Sequence, residues 1–262
     1  IFTIKLENSM SDLYQSFHQY FEIVIADTDE LLENVYKIRY QVLCVQNTFP
    51  NMDAIDYPDM LEKDEYDNHS CHALLKFRPS GVYIGAVRLI LVDPAEPEKP
   101  FPVELNTQLD PVLCDMKNLL RQQTAEISRF VIVSQFERRK GERRAPTRAE
   151  TIENMENRNR DRRSNDRRTT PHLSLLLMAG VMRLSIKNNI RNWLSAMDPA
   201  LNRLLGYYGL NFYPVGPPVN YHGIRRPYYL KVEEVLNRMY KEHRDAWEVV
   251  TECGEYNLSS VN

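Results

Sequence analysis

The stretch EKDEYD places Glu62, Asp64, Glu65 and Asp67 within six positions, just ahead of the apolar run CHALL. Carboxylates that close repel one another, and burying one without a partner costs several kcal/mol. They belong either to a solvated turn or to a set of cations, which are arginines of the chain or the amine of a substrate. Arginines with the matching need are present. Arg39 lies on the apolar side of a helical pattern, Arg88 interrupts GAVRLILV, and Arg129 sits in AEISRFVIV. Asp64 and Asp67, with Glu62, are the expected counter-charges. Glu126 lies in the same strand-like run as Arg129, two residues before Ser128. A carboxylate on an interior strand is rare unless it is paired or works as an acid or base. Strict alternation would put Glu126, Ser128 and Phe130 on one face, and Ile127, Arg129 and Val131 on the other.

A second stretch, SQFERRKGERR, runs from a strand into a basic turn holding Arg138, Arg139 and Gly141. Backbone N–H groups and guanidiniums in such a turn can hold phosphate. Residues 137–168 carry 12 Lys/Arg against 7 Asp/Glu in a chain of net charge −3, so a local +5 leaves −8 elsewhere. Acids are interspersed through this block and no aromatic residue stands in it, which argues against nucleic acid as the partner. Four cysteines (Cys44, Cys71, Cys114, Cys253) show no paired spacing, so reduced thiols and no metal site are expected. No apolar run reaches 18 residues and IFTIKLENSM does not read as an export signal, so a cytoplasmic location without a membrane span is expected.

These residues need positioning elements. The sequence predicts a helix passing into a strand at 21–26, and a helix capped near Asp27–Asp29 with Leu31, Leu32, Val35, Ile38, Val42 and Leu43 as its apolar stripe. A long acidic loop leads to a hairpin of CHALLKF and VYIGAVRLILV about an RPSG turn, with Gly85 marking close backbone approach. A short helix is expected near 111–121, then the strand AEISRFVIV. The segment 145–169 is nearly devoid of apolar residues and reads as a flexible insertion, taken with its basic flank at about 142–169. Thr169 or Thr170 would cap the next helix, with Pro171 in its first turn, running to about Asn188. The strand IRNWLSAM, the helix DPALNRLLGYYGL, a curved pair of strands and a final helix at 232–243 complete the order. The expected fold class is α+β in one domain spanning 1–262, with a mainly antiparallel sheet.

Arg39 with Phe49 ten residues on, then EKDEYD, VRLI and AEISRF, resembles the acyl-homoserine-lactone synthases and related N-acyltransferases. That group carries R-x3-F-x5-W, E-x-D-x-x-D, an R-L strand and E-x-S-R in this order. The longer body resembles the N-acyl amino acid synthases and the exosortase-associated acyltransferases. The likeness runs from about Asp29 to Gln135, and less clearly to about residue 230. It implies a GNAT-like fold, a twisted sheet with a V-shaped splay between two central strands, flanked by helices.

The resemblance also implies roles. Arg39, Phe49, Glu62, Asp64, Asp67, Arg88 and Arg129 would surround the acceptor, and Glu126 would be the general base with Ser128 beside it. Phe130, Val131, Ile132 and Val133 would pair with the donor's pantetheine arm, and Arg138, Arg139 and Gly141 would meet its phosphate. The donor would be acyl-acyl carrier protein or acyl-CoA, with no tightly bound cofactor, and the acceptor a small amine such as an amino acid. The lipid product would partition to membranes. The departures bear on this. Leu43 and Phe49 stand where lactone synthases have an aromatic residue and a tryptophan, which disfavours S-adenosylmethionine as acceptor. One glycine in RRKGERR favours the carrier protein over coenzyme A. Leu205 occupies the place where many acetyltransferases have a tyrosine acid. Lactone synthesis and a non-catalytic acyl-binding module are the rival functions.

Overall fold

The computed structural model describes residues 10–46, 52–134 and 172–258. Helix α1 (Asp12–Tyr20), capped by the Ser11 hydroxyl, passes directly into strand β1 (Phe21–Ile25). Thr28 caps α2 (Asp29–Tyr40) by accepting from the Leu31 N–H, and the helix continues as a wider π turn over Gln41–Gln46. Strands β2 (Ser70–Phe77) and β3 (Val82–Ile90) form the expected hairpin, closed by Gly81 at φ +70°. After α3 (Pro102–Asn106) come β4 (Thr124–Ile132), α4 (Leu173–Lys187), β5 (Asn192–Met197) and α5 (Pro199–Gly206). The short strands β6 (Tyr213–Pro214) and β7 (Val219–Asn220) lead to β8 (Ile224–Lys231), then to α6 (Val232–Glu242) and α7 (Arg244–Thr251).

The strands form an open sheet in the order β1-β2-β3-β4-β5-β8-β6, with β7 also paired to β8. Every pairing is antiparallel except that of β4 with β5. The parallel pair is joined at only three positions, Thr124–Asn192, Ala125–Trp193 and Glu126–Leu194. Beyond Glu126 the strands part. At that point a side chain replaces the ladder, with the Ser195 hydroxyl donating to the Ile127 carbonyl at 3.0 Å.

One face of the sheet is covered by α4, α7 and α1, whose apolar residues pack with Ala73, Leu75, Val87, Leu89 and Ile127. The other is covered by α2 and its π turn, over Leu74, Ala86, Val131 and Val133. Helix α4 is buried along most of its length, and Gly180 is where it comes nearest the sheet: a Cβ there would sit 2.9 Å from the Ala73 Cβ. Gly85 has the close approach its place in the strand suggests, since a Cβ would lie 3.0 Å from the Val131 carbonyl oxygen.

Three local expectations need correction. Residues 111–121 form turns rather than a helix, because Asp110 and Asp115 accept from the Val112 and Lys117 N–H groups and hold the chain in Asx turns. The short helix lies earlier, at α3, where Pro102 opens the first turn and Glu104 accepts from the Phe101 N–H. Helix α4 starts at Leu173 with His172 as cap; Thr169, Thr170 and Pro171 lie outside the described residues, as does the charged segment 142–169. A second terminal helix, α7, follows α6 with only His243 between them. The α4–sheet contact yields a test. Gly180→Val should lower unfolding free energy by about 1–3 kcal/mol through overpacking, read as an earlier denaturant midpoint. An unchanged midpoint would mean that α4 sits further from β2 than the structure places it.

Candidate active site

The crowded carboxylates are divided by the fold. Glu65 turns outward to Lys99 at 3.1 Å, while Glu62, Asp64 and Asp67 turn inward onto the three arginines. Asp64 and Asp67 first shape their own loop. The Asp64 carboxylate accepts from the Tyr66 N–H at 3.0 Å and the Asp67 carboxylate accepts from the Asp64 N–H at 2.8 Å, a reciprocal cap on the short turn Glu65–His69. Arg39, wholly buried at the end of α2, donates from Nε to Glu62 and grips Asp67 with both Nη atoms, at 2.7 and 3.1 Å. Arg88 of β3 donates to Asp64, to Asp67 at 3.0 Å and from Nε to the Ser128 hydroxyl at 2.9 Å. Arg129 donates to Glu62 at 3.0 Å and to Asp64 at 2.8 Å.

Three guanidiniums against three carboxylates make a set with no formal net charge. Burial alone would raise the pKa of each acid, but the arginines outweigh it. Arg39 and Arg129 hold Glu62 below the ordinary carboxylate range, Arg88 does so for Asp64, and Arg39 holds Asp67 furthest down. His72, opposite Arg88 on β2, is buried beside the set, 3.5 Å from Asp67. Burial, then the Arg39 charge, push its pKa down to about 4, so it stays neutral.

Arg129 reaches this network through a break in strand geometry that alternation does not foresee. Ala86 pairs with Val131 and Arg88 with Ser128, so β4 carries one residue more than β3 between these pairs. Arg129 holds the bulge at φ +48°, a left-handed conformation costing roughly 1–3 kcal/mol for a side-chain-bearing residue. The extra residue reverses the faces beyond it. Arg129 joins Ser128 and Arg88, Val131 packs under α2, and Phe130 turns toward the α4 side. The expectation that Arg129 shares a face with Ile127, and Phe130 with Glu126, is therefore corrected.

Glu126 sits apart from the salt bridges, 3% exposed, at the last ladder position before β4 and β5 diverge. Its Oε2 accepts from the Val103 N–H of α3 at 2.8 Å. Burial pushes its pKa up to about 8, against the opposing pull of that N–H and of Arg88 and Arg129. The gap beyond it opens into a cavity of about 360 Å³. Asp64, Tyr66, Arg88, Glu126, Ser128 and Arg129 give it a polar end. Leu43, Phe130, Val131 and Ile132, with Met178 of α4 and Met197 of β5, give it apolar walls.

Of the residues singled out in the sequence, Arg39, Glu62 and Asp67 stand behind the cavity and do not line it. Val133 belongs to the core under α2 and its N–H donates to Ile84, away from the gap. Phe49, Arg138, Arg139 and Gly141 lie outside the described residues. The fold also brings in His72, Ser195, Leu201, Phe212 and Tyr221, which no short motif marks, and it sets Tyr66 and Leu205 on the cavity wall. Among the described residues no cluster of His, Cys, Asp and Glu could hold a metal ion, and no helix is long and apolar enough to cross a membrane.

Residues 38–145 match the family model described as acetyltransferase (GNAT) domain. The chain has a GNAT-like fold. Among solved structures, the chain is similar to TofI in a ternary complex with an inhibitor and MTA, at 14% identity and TM-score 0.52, over 86% of this chain and 99% of that one. It is similar also to BjaI, a CoA-dependent acyl-homoserine lactone synthase solved with SAM and isopentyl-CoA, at 17% identity and TM-score 0.51, over 89% and 99%. At such identities the likeness is one of fold. No curated protein matches the sequence.

The ionic set can be tested directly. Arg39→Met strips Glu62 and Asp67 of a buried partner and should cost about 3–5 kcal/mol in chemical denaturation. Arg39→Lys, which keeps the charge but loses the fork, should cost less. Equal midpoints for wild type and Arg39→Met would contradict a closed, desolvated network.

Proposed function

We propose that the protein transfers a fatty acyl group from a thioester to the amine of an amino acid or a related acceptor. The observation that carries this reading is Glu126: a buried carboxylate with a raised pKa, at the mouth of a gap between two central strands. The BjaI structure, of similar fold, was solved with SAM and isopentyl-CoA, an amine-bearing molecule and an alkyl thioether of coenzyme A that occupies a donor's place. A pantetheine arm lying along Phe130, Val131 and Ile132 would place its thioester beside Glu126, with its phosphate toward Arg138, Arg139 and Gly141. A carrier protein is the favoured donor, because RRKGERR offers one glycine where coenzyme A binders have more. The basic block 137–168 would meet its acidic surface.

An α-ammonium group cannot attack until it loses a proton. Glu126 accepts it, and a base with a pKa near 8 is better matched to an ammonium than an ordinary carboxylate is. The free amine then attacks the thioester carbon, and backbone N–H groups of the splayed strand stabilise the charge on its oxygen. The donors of Arg39, Arg88 and Arg129 are largely spent on Glu62, Asp64 and Asp67, so these arginines act as a rigid wall holding Ser128 and the β4 bulge. Ser128, which accepts from Arg88, keeps its own proton to donate to the acceptor. The acyl tail takes the apolar part of the cavity, between Met178 and Met197.

The test is mass spectrometry of products from octanoyl-acyl carrier protein and octanoyl-CoA, offered with the amino acids and with S-adenosylmethionine. An N-acyl amino acid is the expected product, and an acyl lactone would instead make the protein a lactone synthase. Glu126→Gln should lower kcat by about 10²–10⁴-fold. Because the working form is the carboxylate and its pKa is raised, the wild-type rate should climb as pH rises through about 8. A full rate in Glu126→Gln would remove Glu126 from the chemistry.

A further inference from the structure

Acyl transfer leaves one proton to be placed. As the adduct collapses, the departing thiolate must be protonated, and Leu205, where many acetyltransferases have a tyrosine, lines the cavity with hydrocarbon. The hydroxyl of Ser195 is spent on the Ile127 carbonyl. Among the described residues, two phenols line the cavity, Tyr66 and Tyr221. The Tyr66 ring is engaged by Lys99, 5.4 Å from its centre, and by His69 edge-on at 5.9 Å, and Glu65 is the charge that bears on it most.

Tyr221 is placed differently. It opens the three-residue loop joining β7 to β8, and its N–H donates to the Gly223 carbonyl at 2.9 Å. His222 at φ +50° and Gly223 at φ +91° fix the turn, and the Tyr221 ring rests on the His222 ring at 4.6 Å. Burial raises its pKa first, and Glu126 is the charge that bears on it most, ahead of Arg129, Tyr66 and Asp64. Phenol and carboxylate therefore line one cavity within electrostatic reach of each other.

Resting on the acyl-transfer reading, we propose that Tyr221 is the general acid, and that with Glu126 it forms a proton circuit running from the acceptor nitrogen to the donor sulfur. The C–N bond forms and the C–S bond breaks. The acceptor ammonium gives up two protons: Glu126 takes the first before attack and passes it to bulk water. It takes the second from the nitrogen of the adduct. Tyr221 donates its O–H proton to the departing thiolate, and the phenolate regains a proton from Glu126. The products are one amide, one thiol and one proton released, with both residues restored.

The experiment compares an alkyl thioester with one whose leaving group needs no proton. With octanoyl-CoA or octanoyl-acyl carrier protein, Tyr221→Phe should lower kcat by about 10²-fold, with KM for the amine unchanged. With p-nitrothiophenyl octanoate the same variant should keep most of the wild-type rate. As a second measurement, 3,5-difluorotyrosine at position 221 should move the alkaline limb of the kcat profile to lower pH. An equal loss on both donors, or no loss on either, overturns the assignment of Tyr221 while wild-type activity leaves the acyl-transfer reading standing. A wild-type enzyme that forms no amide from any of these donors overturns that reading, and the circuit with it.

Discussion

Charge neutrality in a desolvated place is the constraint on which the rest of this structure turns. Arg39 and Glu62 have no exposed surface, and Arg88 has almost none. A guanidinium there without a carboxylate would cost several kcal/mol, and so would a carboxylate without a guanidinium. The solution is cross-linked. Each of the three carboxylates meets two arginines, and the arginines come from α2, β3 and β4. A segment of the chain far from all three in sequence is tied to them by ion pairs, and none of these elements can shift alone without exposing an unpaired charge.

That rigidity has a geometric use. The Arg129 bulge is an unfavourable backbone conformation, held by the carboxylates of Glu62 and Asp64. A bulge bends and twists its strand, and it follows within three residues of Glu126, where the ladder of β4 with β5 ends. The ionic set thus supports both the wall of the cavity and the departure of the strand that opens it. Glu126 falls at the boundary between the paired and unpaired parts of β4, excluded from the salt bridges and left to a single N–H of α3. The same strand holds Arg129 as a fixed charge and Glu126 as a carboxylate whose pKa is free to rise, and their different partners account for the contrast.

The sequence made much of this legible through violations of pattern. Arg39, Arg88 and Arg129 stand out because each interrupts an apolar run, and the acid-rich loop supplies the obvious counter-charges. The capping of α2 by Thr28, the β2–β3 hairpin and the close approach at Gly85 follow from local rules. The bulge at Arg129 does not, because nothing in RFVIV says that the period of two will slip by one residue. Tyr221 and His72 were silent for another reason. A tyrosine beside a glycine turn and a histidine opening a strand are common, and only the tertiary fold sets one in the same cavity as Glu126 and the other against Asp67. Asp110 and Asp115 show the same limit at small scale, since their side chains capture backbone N–H groups and turn a helix-like stretch into loops.

The central claim is that the gap between β4 and β5 receives a thioester with its carbonyl beside Glu126. A crystal structure with a non-hydrolysable thioether analogue of octanoyl-CoA tests it most directly. The account predicts the pantetheine arm along Phe130–Ile132, the acyl chain between Met178 and Met197, and the carbonyl position within reach of the Glu126 carboxylate. An analogue bound elsewhere, or strands β4 and β5 closed against each other beyond Glu126 with no room for it, would contradict the account.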